Sequence, residues 1–136
     1  MITVEVKMIA PIEKVWAFFT EPNHISNWYF ASDDWHAPKA ENDLQVGGKF
    51  LFRMESKDGS FGFDFNGIYD TVELKKRIEY KIEGGREVKI LFASNAGITT
   101  VTEIFEPENE NSIELQQSGW QAILNNFKKY VEAISV

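Results

Sequence analysis

The first eight residues alternate, with Ile2, Val4, Val6 and Met8 apolar and Thr3, Glu5 and Lys7 polar. A period of two places the sets on opposite faces and predicts a strand with one buried side. Pro11 then opens a helical spacing of Ile12, Val15, Trp16 and Phe19, which Pro22 breaks. A second short helix is expected to carry His24, Ile25 and Trp28. Residues 29–46 show no clear period, and an aperiodic stretch of that length in a compact domain predicts a mobile binding loop or lid.

Gly47 and Gly48 read as a tight turn into a strand with Phe50, Phe52 and Met54 on one face and Lys49, Arg53 and Glu55 on the other. Asp58 and Gly59 supply the next turn. Phe61, Phe63 and Phe65 then alternate up to Gly67, where a strand-interior glycine suggests a bulge or bend that curls the sheet. Three further strands follow over 77–83, 87–94 and 98–106, separated by turns at Gly84–Gly85 and Asn95–Ala96–Gly97.

The chain closes on a different pattern. Trp120, Ile123, Leu124, Phe127, Val131 and Ile134 recur at steps of three and four and form one apolar stripe, leaving Gln121, Asn125, Lys128, Lys129 and Glu132 to face water. A helix over 116–134 is a rod of roughly 30 Å, enough to cross a small sheet. Asn111 with Glu114, or Ser118 with Gln121, would start it with a capping box, and the earlier start is preferred. That start puts Gly119 inside the helix at a cost that close approach to a facing strand would explain. One α+β domain spanning residues 1–136 is predicted, in which the last helix either seals a core or roofs a cavity.

Composition narrows the function classes. A net charge of −7 opposes the basic footprint that nucleic-acid binding requires. The absence of cysteine removes disulfides and thiolate sites, and no run of eighteen apolar residues suggests membrane insertion, so a cytoplasmic protein is expected. Eleven Phe and four Trp favour a roomy, ring-lined interior.

Candidate chemistry is sparse. His24 and His36, with Asp33 and Asp34 nearby, match no metal-ligand spacing, and neither a nucleophile elbow nor a phosphate-cradling loop is present, so no metal, cofactor or catalytic residue is assigned. Asp64, Asp70 and Glu103 could enter a cavity and gain raised pKa values, but they are read as solvated charges on the outer face. The rings of Trp28, Trp35, Phe50, Phe52, Phe63, Tyr69 and Trp120, with Leu124 on the helix stripe, are the candidate lining of one pocket between the second helix, the long loop, the sheet and the closing helix.

The order of elements, with the motifs VGGKFLFRM, FDFNGIYD, RIEYKIE, TTVTEIFEPE and QQSGWQAILNNFKKYVE, resembles the small START-like helix-grip proteins over essentially the whole chain. Within them it is most similar to the group named after the carboxy-terminal domain of the activator of heat-shock protein 90 ATPase. The resemblance implies a curved antiparallel sheet of six or seven strands, two short helices after the first strand, and a long carboxy-terminal helix on the concave face. It also implies a cavity for a small hydrophobic molecule, with Arg53 and Tyr69 as the polar groups beside a ligand. The co-chaperone that names the group carries an additional amino-terminal domain with no counterpart here, so stimulation of a chaperone ATPase is not expected. Binding of a small hydrophobic molecule leads, ahead of a module that contacts a protein partner such as a chaperone and of a cyclase-like or hydrolase-like enzyme.

Overall fold

Alternation in the chain becomes a single seven-stranded antiparallel sheet in the computed structural model, which describes residues 1–134. The strands are β1 (Ile2–Ile9), β2 (Trp35–Asn42), β3 (Lys49–Ser56), β4 (Gly62–Glu73), β5 (Arg77–Ile82), β6 (Arg86–Asn95) and β7 (Ile98–Phe105), in the spatial order β1-β7-β6-β5-β4-β3-β2. Two short helices, α1 (Ile12–Thr20) and α2 (Pro22–Ile25), connect the two edge strands, and α3 (Ile113–Ala133) closes the chain in the concavity of the curled sheet. The fold is therefore an α+β helix grip.

Four local expectations need correction. The expected lid over 29–46 contains β2, which pairs with β3 from Trp35 to Asn42 and is interrupted by a bulge between His36 and Lys39. That bulge, with Pro38 inside it, breaks the period and hid the strand. Gly67 holds regular pairs with Phe50 and Ile82, and the bulge of β4 lies beyond it, between Tyr69 and Thr71. A Cβ on Gly67 would come within 2.6 Å of the Lys81 carbonyl oxygen and 2.7 Å of the Phe50 ring, so the glycine is there for close approach. Ser112 caps α3, its hydroxyl accepting from the Leu115 amide at 3.1 Å, so the cap is neither Asn111 nor Ser118. Pro11 occupies the N-cap of α1, and it is Pro22 that stands in the first turn of a helix, α2.

Helix α3 also closes the free edge of β1. The Gln121 amide accepts from the Glu5 N–H at 3.4 Å and donates to the Glu5 carbonyl at 3.0 Å, copying a neighbouring strand. Gln117 donates to the Thr3 carbonyl at 3.3 Å, and the Glu132 carboxylate accepts from the Ile9 N–H at 3.0 Å. Gln121 and Glu132, expected to face water, satisfy backbone groups that would otherwise template edge-to-edge association.

The carboxy-terminal half of α3 fills the core. Leu124, Phe127 and Val131 are buried, and the Phe127 ring lies 4.5 Å from Trp28 and 5.2 Å, edge-on, from Phe19. Trp28 satisfies its indole N–H on the Phe18 carbonyl at 2.9 Å, so the ring is buried at no hydrogen-bonding cost.

Candidate functional site

The amino-terminal half of α3 meets the sheet differently. Trp120 stacks on Phe105 at 3.8 Å and stands edge-on to Phe65 at 6.0 Å, holding this part of the helix off the strands. Beside it opens a cleft of about 290 Å³, walled by Met54, Phe63 and Phe65 of the sheet, by Tyr29, and by Leu115, Trp120 and Ile123 of the helix. Gln116 fixes the rim: its amide donates to the carbonyls of Glu108 and Asn111 and accepts from the Glu108 N–H, pinning the β7–α3 loop to the helix.

Gly119 lies on the helix face towards the cleft, and a Cβ built on it would meet nothing within 4 Å. Close approach to a strand, the expected reason for this glycine, is therefore absent. Glycine inside a helix costs about 1 kcal/mol relative to alanine. What its missing side chain leaves here is open space on the cleft wall.

Glu103 is the group that sequence reasoning placed on the wrong face. Strand β7 turns Thr99, Val101, Glu103 and Phe105 inwards, and Glu103 is only 7% exposed. The two-residue spacing to Val101 and Phe105 was the available signal, whereas Ile98 and Ile104 mark the opposite face and invite the other phase. Its carboxyl borders the cleft, and burial pushes its pKa from 4.5 to about 8. Asp64 and Asp70, by contrast, are exposed and face Arg53 and Lys81.

Two phenols share this interior. Tyr29 and Tyr80 are buried, and both are held well above the usual tyrosine range, first by burial and then by neighbouring charge that includes Glu103. Among the described residues, every fully enclosed side-chain nitrogen or oxygen has a hydrogen-bond partner. The hydroxyls of Tyr29 and Tyr80 and the carboxyl of Glu103 have none, so these three groups turn towards interior space.

The sequence-predicted candidates are divided among five places. Phe63 and Trp120 wall the cleft. Phe50, Phe52 and Tyr69 border a separate void of about 20 Å³, room for about one water molecule. There the Tyr69 hydroxyl donates to Asn42, whose own amide donates to the Thr20 carbonyl. Trp28 and Leu124 belong to the solid core, while Trp35 sits on edge strand β2 with its ring 6.0 Å from Phe63. Arg53 lies on the face opposite to Phe52 and Met54, paired with Glu55 at 2.8 Å and Asp64 at 3.4 Å. Sequence reasoning passed over Tyr29, Phe65 and Arg86 as lining groups of the cleft and Tyr80 as one of the void, and it gave Glu103 the outward phase; four of the five stand on strands, where pairing settles which face turns inwards.

The histidines stand apart from the cleft. His24 Nδ1 is 2.7 Å from the Tyr130 hydroxyl and its ring stacks on Phe18 at 4.0 Å, while His36 faces Glu55 at 3.9 Å. Among the described residues, no group of three or more His, Cys, Asp or Glu side chains is arranged to hold a metal ion, and no helix is long and apolar enough to cross a membrane.

Comparison with known proteins places this geometry in a family. The profile described as activator of Hsp90 ATPase homolog 1-like protein matches residues 9–132. The solution structure of an AHSA1-like protein from Aeromonas hydrophila is 43% identical, with a TM-score of 0.89 over 97% of this chain and 93% of its own. Chr148 from Cytophaga hutchinsonii is 54% identical, with a TM-score of 0.83 over 97% of this chain and 92% of its own. DynU16, a protein of the dynemicin biosynthetic locus, shares the fold at 20% identity and a TM-score of 0.73, over 96% of this chain and 46% of its own. No curated protein matches the chain. With the profile covering nearly its whole length and close relatives sharing its fold, the chain belongs to the family of activator of Hsp90 ATPase homolog 1-like proteins, within the START-like superfamily.

Proposed function

We propose that this protein binds a small, largely apolar molecule in the cleft beneath the amino-terminal half of α3, and that it does so in the cytoplasm. The observation that carries the reading is the cleft itself: ring and aliphatic walls, a helix glycine that leaves its space unfilled, and two inward polar groups, Tyr29 and Glu103, without protein partners. Small-molecule sites combine apolar walls with a few polar groups in this way, and 290 Å³ stands at the small end of their range. The ligand is accordingly a compact ring system and not a long lipid chain.

Titration with a panel of small aromatic compounds, followed by tryptophan fluorescence and amide chemical shifts, tests this. Binders should perturb Tyr29, Phe65 and Trp120 together, since a ligand in the cleft touches the sheet and the helix at once. Gly119→Leu, which builds an aliphatic side chain into the open wall, should weaken each such binder while the amide spectrum elsewhere stays folded. A panel without any binder, or binding untouched by Gly119→Leu, would remove the cleft from consideration.

A second reading draws on the family's name. Leu115 and Phe63 line the cleft yet are 59% and 48% exposed, so they form an apolar mouth that a protein partner such as a chaperone could cover. Loss of co-sedimentation with a purified chaperone on Leu115→Ser would favour that role; no co-sedimentation by the unaltered chain would dismiss it.

A further inference from the structure

The cleft contains one group whose placement is expensive unless it serves a ligand. Glu103 lies between Val101 and Phe105 on the inward face of β7, is 7% exposed, and finds neither a hydrogen bond nor an ion pair among the described residues. Valine or isoleucine would continue the strand's apolar face there. Resting on the reading of the cleft as a ligand site, we infer that Glu103 is its recognition group: as a carboxylic acid it donates a hydrogen bond to an acceptor oxygen on a neutral, ring-sized ligand, and its ionisation expels that ligand.

The surroundings select this chemistry over its alternatives. Among the lining side chains, β3 and β4 present Met54, Phe63 and Phe65, and α3 presents Leu115, Gln116, Gly119, Trp120 and Ile123, none of them ionisable. The phenols of Tyr29 and, from β5, Tyr80 stay neutral. Arg86 of β6 has one guanidinium nitrogen on the Glu106 carbonyl at 3.0 Å and makes no ion pair with Glu103. Glu108 of the β7–α3 loop is engaged with Asn111 through its backbone N–H at 2.7 Å and its side-chain amide at 3.0 Å.

With no cation neutralising it and burial favouring the uncharged form, Glu103 holds its proton at neutral pH and is a donor. An anionic ligand has Arg86 to face, but it meets the carboxyl of Glu103, Glu108 at the rim and a chain of net charge −7. A cationic ligand would need a buried ion pair, whose desolvation cost the apolar walls do not offset. A neutral acceptor incurs neither cost. Once the carboxyl ionises it loses its donor and presents lone pairs to the ligand's lone pairs, and binding reverses.

Three naphthalene probes test this on the whole chain by isothermal titration: acetylnaphthalene with an acceptor oxygen, ethylnaphthalene without one, and naphthylmethylamine as a cation. The ketone should bind about five- to tenfold more tightly than the hydrocarbon near pH 6, the worth of one net hydrogen bond, and this preference should vanish near pH 9.5. Glu103→Leu should remove the preference at both pH values. Glu103→Gln, whose amide still donates, should keep it at both and so flatten the pH response. Equal affinity for ketone and hydrocarbon at every pH would overturn the role of Glu103 while leaving the cleft as a ligand site. Tighter binding of the amine that Glu103→Gln abolishes would overturn it in favour of a cation site. Failure of all three probes to bind the unaltered chain would take the cleft reading down, and this inference with it.

Discussion

The two halves of α3 lie in the same concavity and do opposite things. Towards its carboxy terminus, Leu124, Phe127 and Val131 interlock with Trp28 and Phe19 and leave no ligand-sized space. Towards its amino terminus, Trp120 props the helix on Phe105, Gly119 omits a side chain, and a cleft of about 290 Å³ remains. The packed half is built for stability: the Trp28 indole nitrogen within it is satisfied by the Phe18 carbonyl. The open half carries features that cost stability, a mid-helix glycine and a partnerless carboxyl. Concentrated at a cleft, such costs are what a site accepts for function.

The sharpest way to break this contrast is to truncate the packed half. Phe127→Ala should destabilise the domain by about 4 kcal/mol, the loss expected for a fully buried ring between two others, measured by urea denaturation. A loss below about 1 kcal/mol would mean that this half is as loose as the other.

The open half should respond in the opposite direction. Glu103 has a folded pKa of about 8 against 4.5 unfolded, so the folded state holds its proton more tightly. Below pH 4.5 both states are protonated and the group costs nothing; as pH rises from 4.5 to 8 only the unfolded state releases its proton, and stability falls. At about 1.4 kcal/mol per pH unit the penalty is on the order of 3 kcal/mol at pH 7. Glu103→Gln should therefore stabilise the protein by roughly that amount at pH 7 and by almost nothing near pH 4. Thermal unfolding across pH measures it; a gain independent of pH would contradict the assignment.

The two interior glycines sharpen the comparison on a smaller scale. Gly67→Ala, which drives a Cβ against the Lys81 carbonyl and the Phe50 ring, should cost about 2 kcal/mol. Gly119→Ala, meeting nothing, should add about 1 kcal/mol of stability from helix propensity alone. Denaturant midpoints of the pair should move apart. Movement in the same direction would show that Gly119 is packed after all.

Much of the architecture was legible because local periodicity and the apolar face coincide. Strand β1 and the stripe of α3 follow directly from spacing, and the turn at Gly47–Gly48 from its glycines, the first of which has φ of 83°. Where a bulge shifts the period, as at Ala37 and Pro38 in β2, the pattern is lost although the pairing is real. The site was less legible. Rings announce themselves in a sequence, but whether Phe52 borders a one-water void and Phe63 a cleft depends on how far α3 stands from each strand.

The sequence by itself determined an α+β fold with an alternating, aromatic-rich sheet and a closing amphipathic helix, because secondary-structure period and burial are properties of neighbouring residues. Only the tertiary structure decided that Gln121 bonds the edge of β1 and that Glu103 borders the cleft. Each of these turns on which strand lies opposite and on the register between them, and a carboxyl acquires its pKa from groups far away in the chain that remove water from around it.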